Sequence, residues 1–206
     1  GAVGGNFYGG VCINLLRNPR WGRAQETYGE DSWHIGEMGA ALTRGVQSQN
    51  VMACIKHFAL NSIENARFTA DVQVDKRTLH EVYLPHFKKC IEAGAASVMC
   101  AYNSVMGSYC SENKYLLKDT LRDRWGFDGF TISDFLWALH EGRAVESVKA
   151  GMDIEMPCIA YYEKELPKAL EEGRITMEDI DEAVRYIVRT ILYYETRKDP
   201  QRYEPS

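Results

Sequence analysis

Several markers of function are missing from this sequence. No apolar run approaches the ~20 residues that a membrane-spanning helix needs. The six cysteines are scattered, with no Cys-x-x-Cys and no paired Cys/His spacing, so no zinc site is expected. No glycine-rich phosphate loop follows any strand-like segment, which disfavours a nucleotide ligand and leaves no cofactor expected. No basic cluster occurs and the net charge is -5, which argues against nucleic acid or an anionic membrane as partner. There is no Asn-x-Ser/Thr sequon. Gly1 carries neither an initiator Met nor a leader pattern, so the chain reads as cut from something longer. A soluble protein is expected, with the compartment, cytoplasmic or secreted, left open.

What is present is an ordinary globular composition. The 206 residues are 45% hydrophobic and 26% charged, enough for one large domain. Strand-like runs fall at 11–16, 51–57, 97–102, 129–133 and 152–155. Helical spacing falls between them. Asp31 or Ser32 caps a helix to about 49, and 77–92, 116–124, 140–150 and 161–172 follow. A last helix is capped at Thr176 and runs to about 195. Strand and helix alternate about five times, which predicts a parallel sheet with crossover helices. The strands are apolar throughout, as when both faces are covered. Cys12, Cys54 and Cys100 lie in these runs and read as buried thiols. Cys100 and Cys110 are separated by a polar turn, a spacing compatible with a disulfide.

Polar residues recur directly after the strands: Arg17 to Arg23, Lys56 and His57, Tyr102 and Asn103, Asp134, then Asp153 and Glu155. In parallel α/β folds, ligands and catalytic groups gather at strand C-termini. Carboxylate, Lys, His, Arg and aromatic groups together suit a polyhydroxylated ligand, because charged groups bond hydroxyls and rings stack on a sugar face. Asp134 is the candidate nucleophile; its bland reading is the cap of a turn. Arg23 has the alternative of pairing with Glu26 or Glu30. Asp153 and Glu155 read as structural.

These residues carry a resemblance. Asn18-Pro19-Arg20-Trp21-Gly22-Arg23, Glu26-Thr27-Tyr28-Gly29-Glu30-Asp31, Lys56-His57-Phe58, Tyr102-Asn103, Ser133-Asp134 and Gly151-x-Asp153-x-Glu155-Met156-Pro157 stand in an order that resembles glycoside hydrolase family 3. The resemblance implies a (β/α)8 TIM-barrel-like domain over 1–195, incomplete in this chain, with 196–206 as linker or tail. It implies retaining hydrolysis of terminal β-linked sugars, with a β-glucoside or oligosaccharide as substrate and Asp134 as nucleophile. Arg23, Lys56, His57, Arg67, Tyr102 and Phe135 take substrate-contact positions. Retaining chemistry needs a second carboxyl group as acid/base. The family commonly supplies it from a later domain. The missing barrel segment and that domain are therefore expected from another chain or from self-assembly. Phe135 stands where the family usually has Trp, with Trp137 two residues on. The alternative from another class is a carbohydrate-binding or structural fragment without turnover.

Overall fold

The computed structural model describes residues 4–158 and 160–196. Four parallel strands form the main sheet: β1 (Phe7–Cys12), β2 (Met52–Phe58), β4 (Ser97–Cys100) and β7 (Phe130–Ile132), in the order β1-β2-β4-β7. Parallel pairing with helical crossovers is the architecture that the alternating pattern predicts. The fifth expected strand is reduced to one parallel bridge, Ile132 to Ile154. The sheet is open, with β1 at one edge, and forms an arc of an α/β barrel.

β1 begins four residues before its predicted start. Gly9 and Gly10 lie inside the strand, where the β1–β2 register shifts. A Cβ on Gly10 would stand 2.4 Å from the Tyr8 ring, so any larger residue there would displace that exposed side chain. A second, small sheet was not anticipated. In it β3 (Asp71–Val72) pairs with β5 (Ser104–Val105), and β5 pairs antiparallel with β6 (Ser108–Tyr109).

Helix α1 (Ser32–Ser48) starts as predicted, with Asp31 accepting from His34 N at 2.7 Å. The expected 77–92 helix is broken instead. A short α2 (Lys76–Thr78) runs into a π-turn (Leu79–Tyr83), and α3 (Pro85–Glu92) begins at a proline. Pro85 has no N–H and suits the first turn of a new helix, not the middle of an old one. Tyr115–Arg124 is a π-helix. The helix predicted from 140 starts later, as α4 (Ala144–Ala150); α5 (Tyr162–Glu171) and α6 (Met177–Thr196) follow. Of the tail expected over 196–206, Thr196 still belongs to α6, and 197 onward lies outside the described residues.

The core lies between the sheet and α1, α3 and the π-helix. Ile13, Ile35, Ile55, Phe58, Phe87, Leu117 and Leu121 are all fully buried there. Each such side chain contributes about 1.5–3 kcal/mol on burial. Gly39 lets α1 approach closely: a Cβ there would meet Ile13 at 2.7 Å and the Cys90 sulfur at 2.8 Å. Alternate strand residues point the other way. Cys54, Met99, Phe130 and Ile132 pack with Tyr194 of α6. No disulfide joins Cys100 and Cys110; both are free and buried. The Cys100 sulfur sits 3.7 Å from Met152 Sδ, and that of Cys110 is 3.5 Å from Ala59 O, so each is held in core packing.

Candidate active site

The strand ends place most of the predicted residues around one carboxylate. Asp134 follows β7 and Ser133. Ser133 is anchored to the next segment, donating its N–H to Ile154 O (2.9 Å) and accepting from Met156 N at Oγ (2.8 Å). Asp134 Oδ1 accepts from Phe135 N at 2.7 Å. The turn-cap reading is thus half correct: one oxygen is used locally. The other, Oδ2, is buried and accepts no hydrogen bond.

β2 ends in Lys56 and His57, joined by a cis peptide bond. His57 is buried, and Asn14 fixes it from the end of the neighbouring strand. Asn14 Nδ2 donates to His57 O (2.8 Å), and Asn14 Oδ1 accepts from His57 N (2.8 Å) and faces Nδ1 at 3.2 Å. On the other side, Arg23 Nη1 lies 2.8 Å from His57 Nε2. A guanidinium only donates, so Nε2 accepts and the imidazole proton sits on Nδ1, toward Asn14. Burial, aided by Arg23, Lys56 and Arg67, holds the His57 pKa well below its ordinary value. His57 Nε2 is 3.5 Å from Asp134 Oδ2, which would be an ion pair with a charged imidazole. Because Nε2 is already an acceptor, the two groups meet without a proton between them, and Oδ2 stays uncommitted.

Arg23 pairs with Glu26, as the alternative reading had it, and with His57 as well. Its Nε and Nη2 donate to the two Glu26 oxygens, each at 2.7 Å. Glu26 also faces Lys56 Nζ at 3.7 Å. Arg67 comes from the loop after β2. It donates to Glu64 at 2.7 Å and lies over the Tyr102 ring, 4.5 Å from its centroid. The Tyr102 hydroxyl donates to Phe135 O at 2.7 Å. It also supports the Asp134 charge, and burial and that charge push its own pKa up. Asp134 itself is raised: burial outweighs the pull of the Phe135 N–H, Tyr102, Arg23 and Arg67. The cations Arg23 and Arg67 pull toward the ionised form, but the net shift is upward.

Phe135 is 45% exposed, in contrast to the buried Asp134 before it. An aromatic wall is built instead by Phe68, which stands edge-on to Tyr102 (4.9 Å) and to Trp137 (5.8 Å). Beyond it lies a cavity of about 410 Å3, lined by Phe68, Trp137, Leu139, His140, Glu141 and Tyr161. Asp153 and Glu155 stand apart from these contacts. Asp153 is paired with Arg122 at 2.6 Å and accepts from Thr131 N at 2.7 Å. Glu155 accepts the N–H groups of Tyr161 and Tyr162 at the start of α5. Asn14, Glu26, Glu64 and Phe68 complete the arrangement; sequence reasoning reads Glu26 as a partner for Arg23 and Glu64 as an acid only if the chain cleaves unactivated cellobiose, and it does not single out Asn14 or Phe68. The two glutamates carried a usable signal, each lying three positions from a predicted sugar-contact arginine.

Known proteins share this arrangement of segments. The family model for the glycosyl hydrolase family 3 N terminal domain matches residues 11–190. Thermostable beta-glucosidase B of Acetivibrio thermocellus is 40% identical over 198 residues, covering 95% of this chain and 26% of that protein. An exo-alpha-(1->6)-L-arabinopyranosidase of Bifidobacterium breve is 37% identical over 173 residues, covering 84% of this chain and 22% of its own length. The structure of beta-glucosidase 3B from Thermotoga neapolitana in complex with alpha-D-glucose superposes with a TM-score of 0.86 at 40% identity, over 92% of this chain and 28% of that one. The chain therefore spans about a quarter of the length of the relatives it matches. With the family pattern running through nearly every described strand and helix, the chain belongs to glycosyl hydrolase family 3.

Proposed function

We propose that this chain supplies the nucleophile side of a retaining β-glycosidase site that removes terminal β-linked sugars, β-glucosides first. The observation that carries the reading is Asp134 Oδ2, a buried carboxylate oxygen without a hydrogen bond at a strand C-terminus, with Arg23, His57, Arg67 and Tyr102 around it. In the reaction, Asp134 attacks the anomeric carbon and the glycosidic bond breaks. The leaving oxygen takes a proton from a general acid, and water then hydrolyses the glycosyl ester. Arg23 has two N–H donors left after Glu26 and His57 are served, enough to bind sugar hydroxyls. Phe68 and Trp137 stand where the leaving group would pass, and Phe135 borders them.

The acid is assigned to polypeptide beyond these residues. Among the described carboxylates near the strand ends, Glu26 and Glu64 hold arginines, Asp153 is paired with Arg122, and Glu155 caps α5. Residues 1–195 are assigned to the barrel domain, and further barrel segments would close it. The open β1 edge and the exposed Val184, Val188 and Ile191 of α6 suit such closure. Relatives named as beta-glucosidases support glucose as the sugar, and the arabinopyranosidase relative marks where that choice is open.

The test is covalent trapping. A dinitrophenyl 2-deoxy-2-fluoro-β-glucoside needs no acid, and it should leave its sugar on Asp134, read by peptide mass. Asp134→Ala should take no label. Label on Glu64 or Glu155, or an unchanged label in Asp134→Ala, would overturn the assignment.

A further inference from the structure

We infer that Glu64 is a positioning residue for the Asp134 carboxylate, acting through Arg67, and is not a proton donor. Glu64 lies in the loop after β2 and is the node at which two strand-end loops meet. Its Oε2 accepts from Arg67 Nη1 at 2.7 Å. Its Oε1 accepts from Trp21 Nε1 at 3.1 Å, reaching the loop after β1, and from Asn61 Nδ2 at 3.3 Å. Trp21 is a buried ring, so this contact fixes the glutamate in place.

Each oxygen therefore accepts from a group that can only donate: the Trp21 indole N–H on Oε1 and the Arg67 guanidinium on Oε2. A proton on Glu64 would set a donor against a donor on whichever oxygen carried it. The same logic shows what the arrangement accomplishes. Arg67 lies against the Tyr102 ring (4.5 Å) and the Phe68 ring (4.8 Å), contacts that hold the cation near the rings but do not direct its N–H groups. The Glu64 contact supplies the missing constraint. So placed, Arg67 lies on the ring of Tyr102, whose hydroxyl donates to Phe135 O beside Asp134 at 2.7 Å, and from there its charge favours the ionised carboxylate. The groups around Asp134 are His57 from β2, Tyr102 after β4, and Arg23 and Arg67 from the loops.

Glutamine cannot replace Glu64. Its one carbonyl oxygen can face Arg67 or the Trp21–Asn61 pair, and its NH2 then opposes the donors on the other side. The meaning of the inference rests on Asp134 as nucleophile, but its test does not, because it reads a carboxyl titration and no turnover. If sugar trapping at Asp134 failed while this titration behaved as described, the catalytic reading would fall and the Glu64–Arg67 coupling would stand.

The experiment follows the Asp134 carboxyl carbon by NMR across pH in the chain labelled with 13C-aspartate. The resonance is assigned by its loss in Asp134→Asn. The two explanations of Glu64 predict opposite signs. If Glu64 seats Arg67, Glu64→Gln and Glu64→Ala release that cation and the Asp134 midpoint moves up. If Glu64 acts only as a nearby negative charge, its removal moves the midpoint down. Arg67→Ala should match the upward shift, and Glu64→Ala added to Arg67→Ala should add nothing. A downward shift, no shift, or full additivity would overturn the inference. Thermal melts identify folded variants. Should Glu64→Ala fail to fold, Glu64→Gln is read against Arg67→Ala in the same cycle, with the same signs required.

Discussion

Replacing Arg122 by methionine should cost more stability than any surface charge change, and the cost should depend on pH. Arg122 is buried beneath β7. Its Nη2 donates to Asp153 Oδ2 at 2.6 Å, its Nη1 donates to Phe127 O at 3.1 Å and to Gly129 O, and its guanidinium lies 3.6 Å from the centroid of the Tyr186 ring. Methionine fills much of the volume but leaves Asp153 as a buried carboxylate without its cation. Removing one partner of a buried pair costs about 3–5 kcal/mol. For a chain of this size that is a fall in Tm of roughly 6–20 °C. The exposed Arg77–Glu81 pair is the control: its side chains are 81% and 61% accessible. Arg77→Ala should lie within about 0.5 kcal/mol of wild type.

The pH dependence has a fixed sign. Burial outweighs the cation and raises the folded-state pKa of Asp153 to about 6, above its unfolded value. Arg122 lowers that pKa, so losing Arg122 raises it further. A carboxyl with a raised folded-state pKa destabilises the fold when ionised, and the penalty fades as pH falls through that pKa. The deficit of Arg122→Met should therefore be largest near pH 8 and narrow by pH 5. Urea unfolding at both pH values measures it. A deficit under 1 kcal/mol at pH 8, or one equal at the two pH values, would show that Asp153 does not depend on this cation. Because Asp153 also accepts from Thr131 N and Oγ1 (2.7 and 3.1 Å), the same variant should loosen the strand that presents Asp134.

Other outcomes follow from the same contacts. His57 should remain neutral, protonated on Nδ1, through pH 5 in 15N NMR spectra; a titration near 6.5 would contradict its burial against Arg23. Among the thiols, exposed Cys158 should react rapidly with a disulfide reagent. Cys54, Cys90 and Cys110, whose pKa values burial pushes to about 12, should react only on unfolding. The 206-residue chain should favour dinitrophenyl β-glucoside over cellobiose, since general acid help is worth ~10²–10⁴-fold. Efficient cellobiose cleavage would place the acid within the chain.

The parallel order of the strands and the clustering at their ends were legible because both depend on local pattern. Apolar runs mark strands, and a polar residue directly after one marks the strand end. Boundaries were less legible. The apolar run marks a strand only from Val11, while β1 pairs with β2 from Phe7, and Pro85 was absorbed into a helical period that its ring interrupts. The Cys100–Cys110 spacing suggested a bridge because separation in sequence says nothing of which core contact each sulfur faces. The supporting residues were hardest. Asn14 acts through a bond to a backbone 43 positions away, and Glu64 through an indole equally distant. No periodicity reports such pairs.

The charge balance around Asp134 bears on what the site can hold. Arg23, Lys56 and Arg67 bring three cations, and Glu26, Glu64 and Asp134 bring three carboxylates, while His57 is neutral. A site built for a phosphorylated or acidic sugar would keep cations unmatched by protein carboxylates, because charge-assisted bonds to the anion are the stronger ones. Here Glu26 and Glu64 consume most of the arginine charge and leave directed N–H groups without excess positive potential. That suits a neutral polyol, bound by geometry more than by charge. Ionic strength gives the measurement. Exposed long-range attraction is screened within about 8 Å at 0.15 M salt. Labelling by the neutral fluoroglucoside should therefore change little between 0.02 and ~0.5 M salt, and added phosphate should not compete. Strong inhibition by phosphate, or a steep loss with salt, would mean that Arg23 or Arg67 is free to act as an anion site, and the glutamate clasps would not hold in solution as they do in the fold.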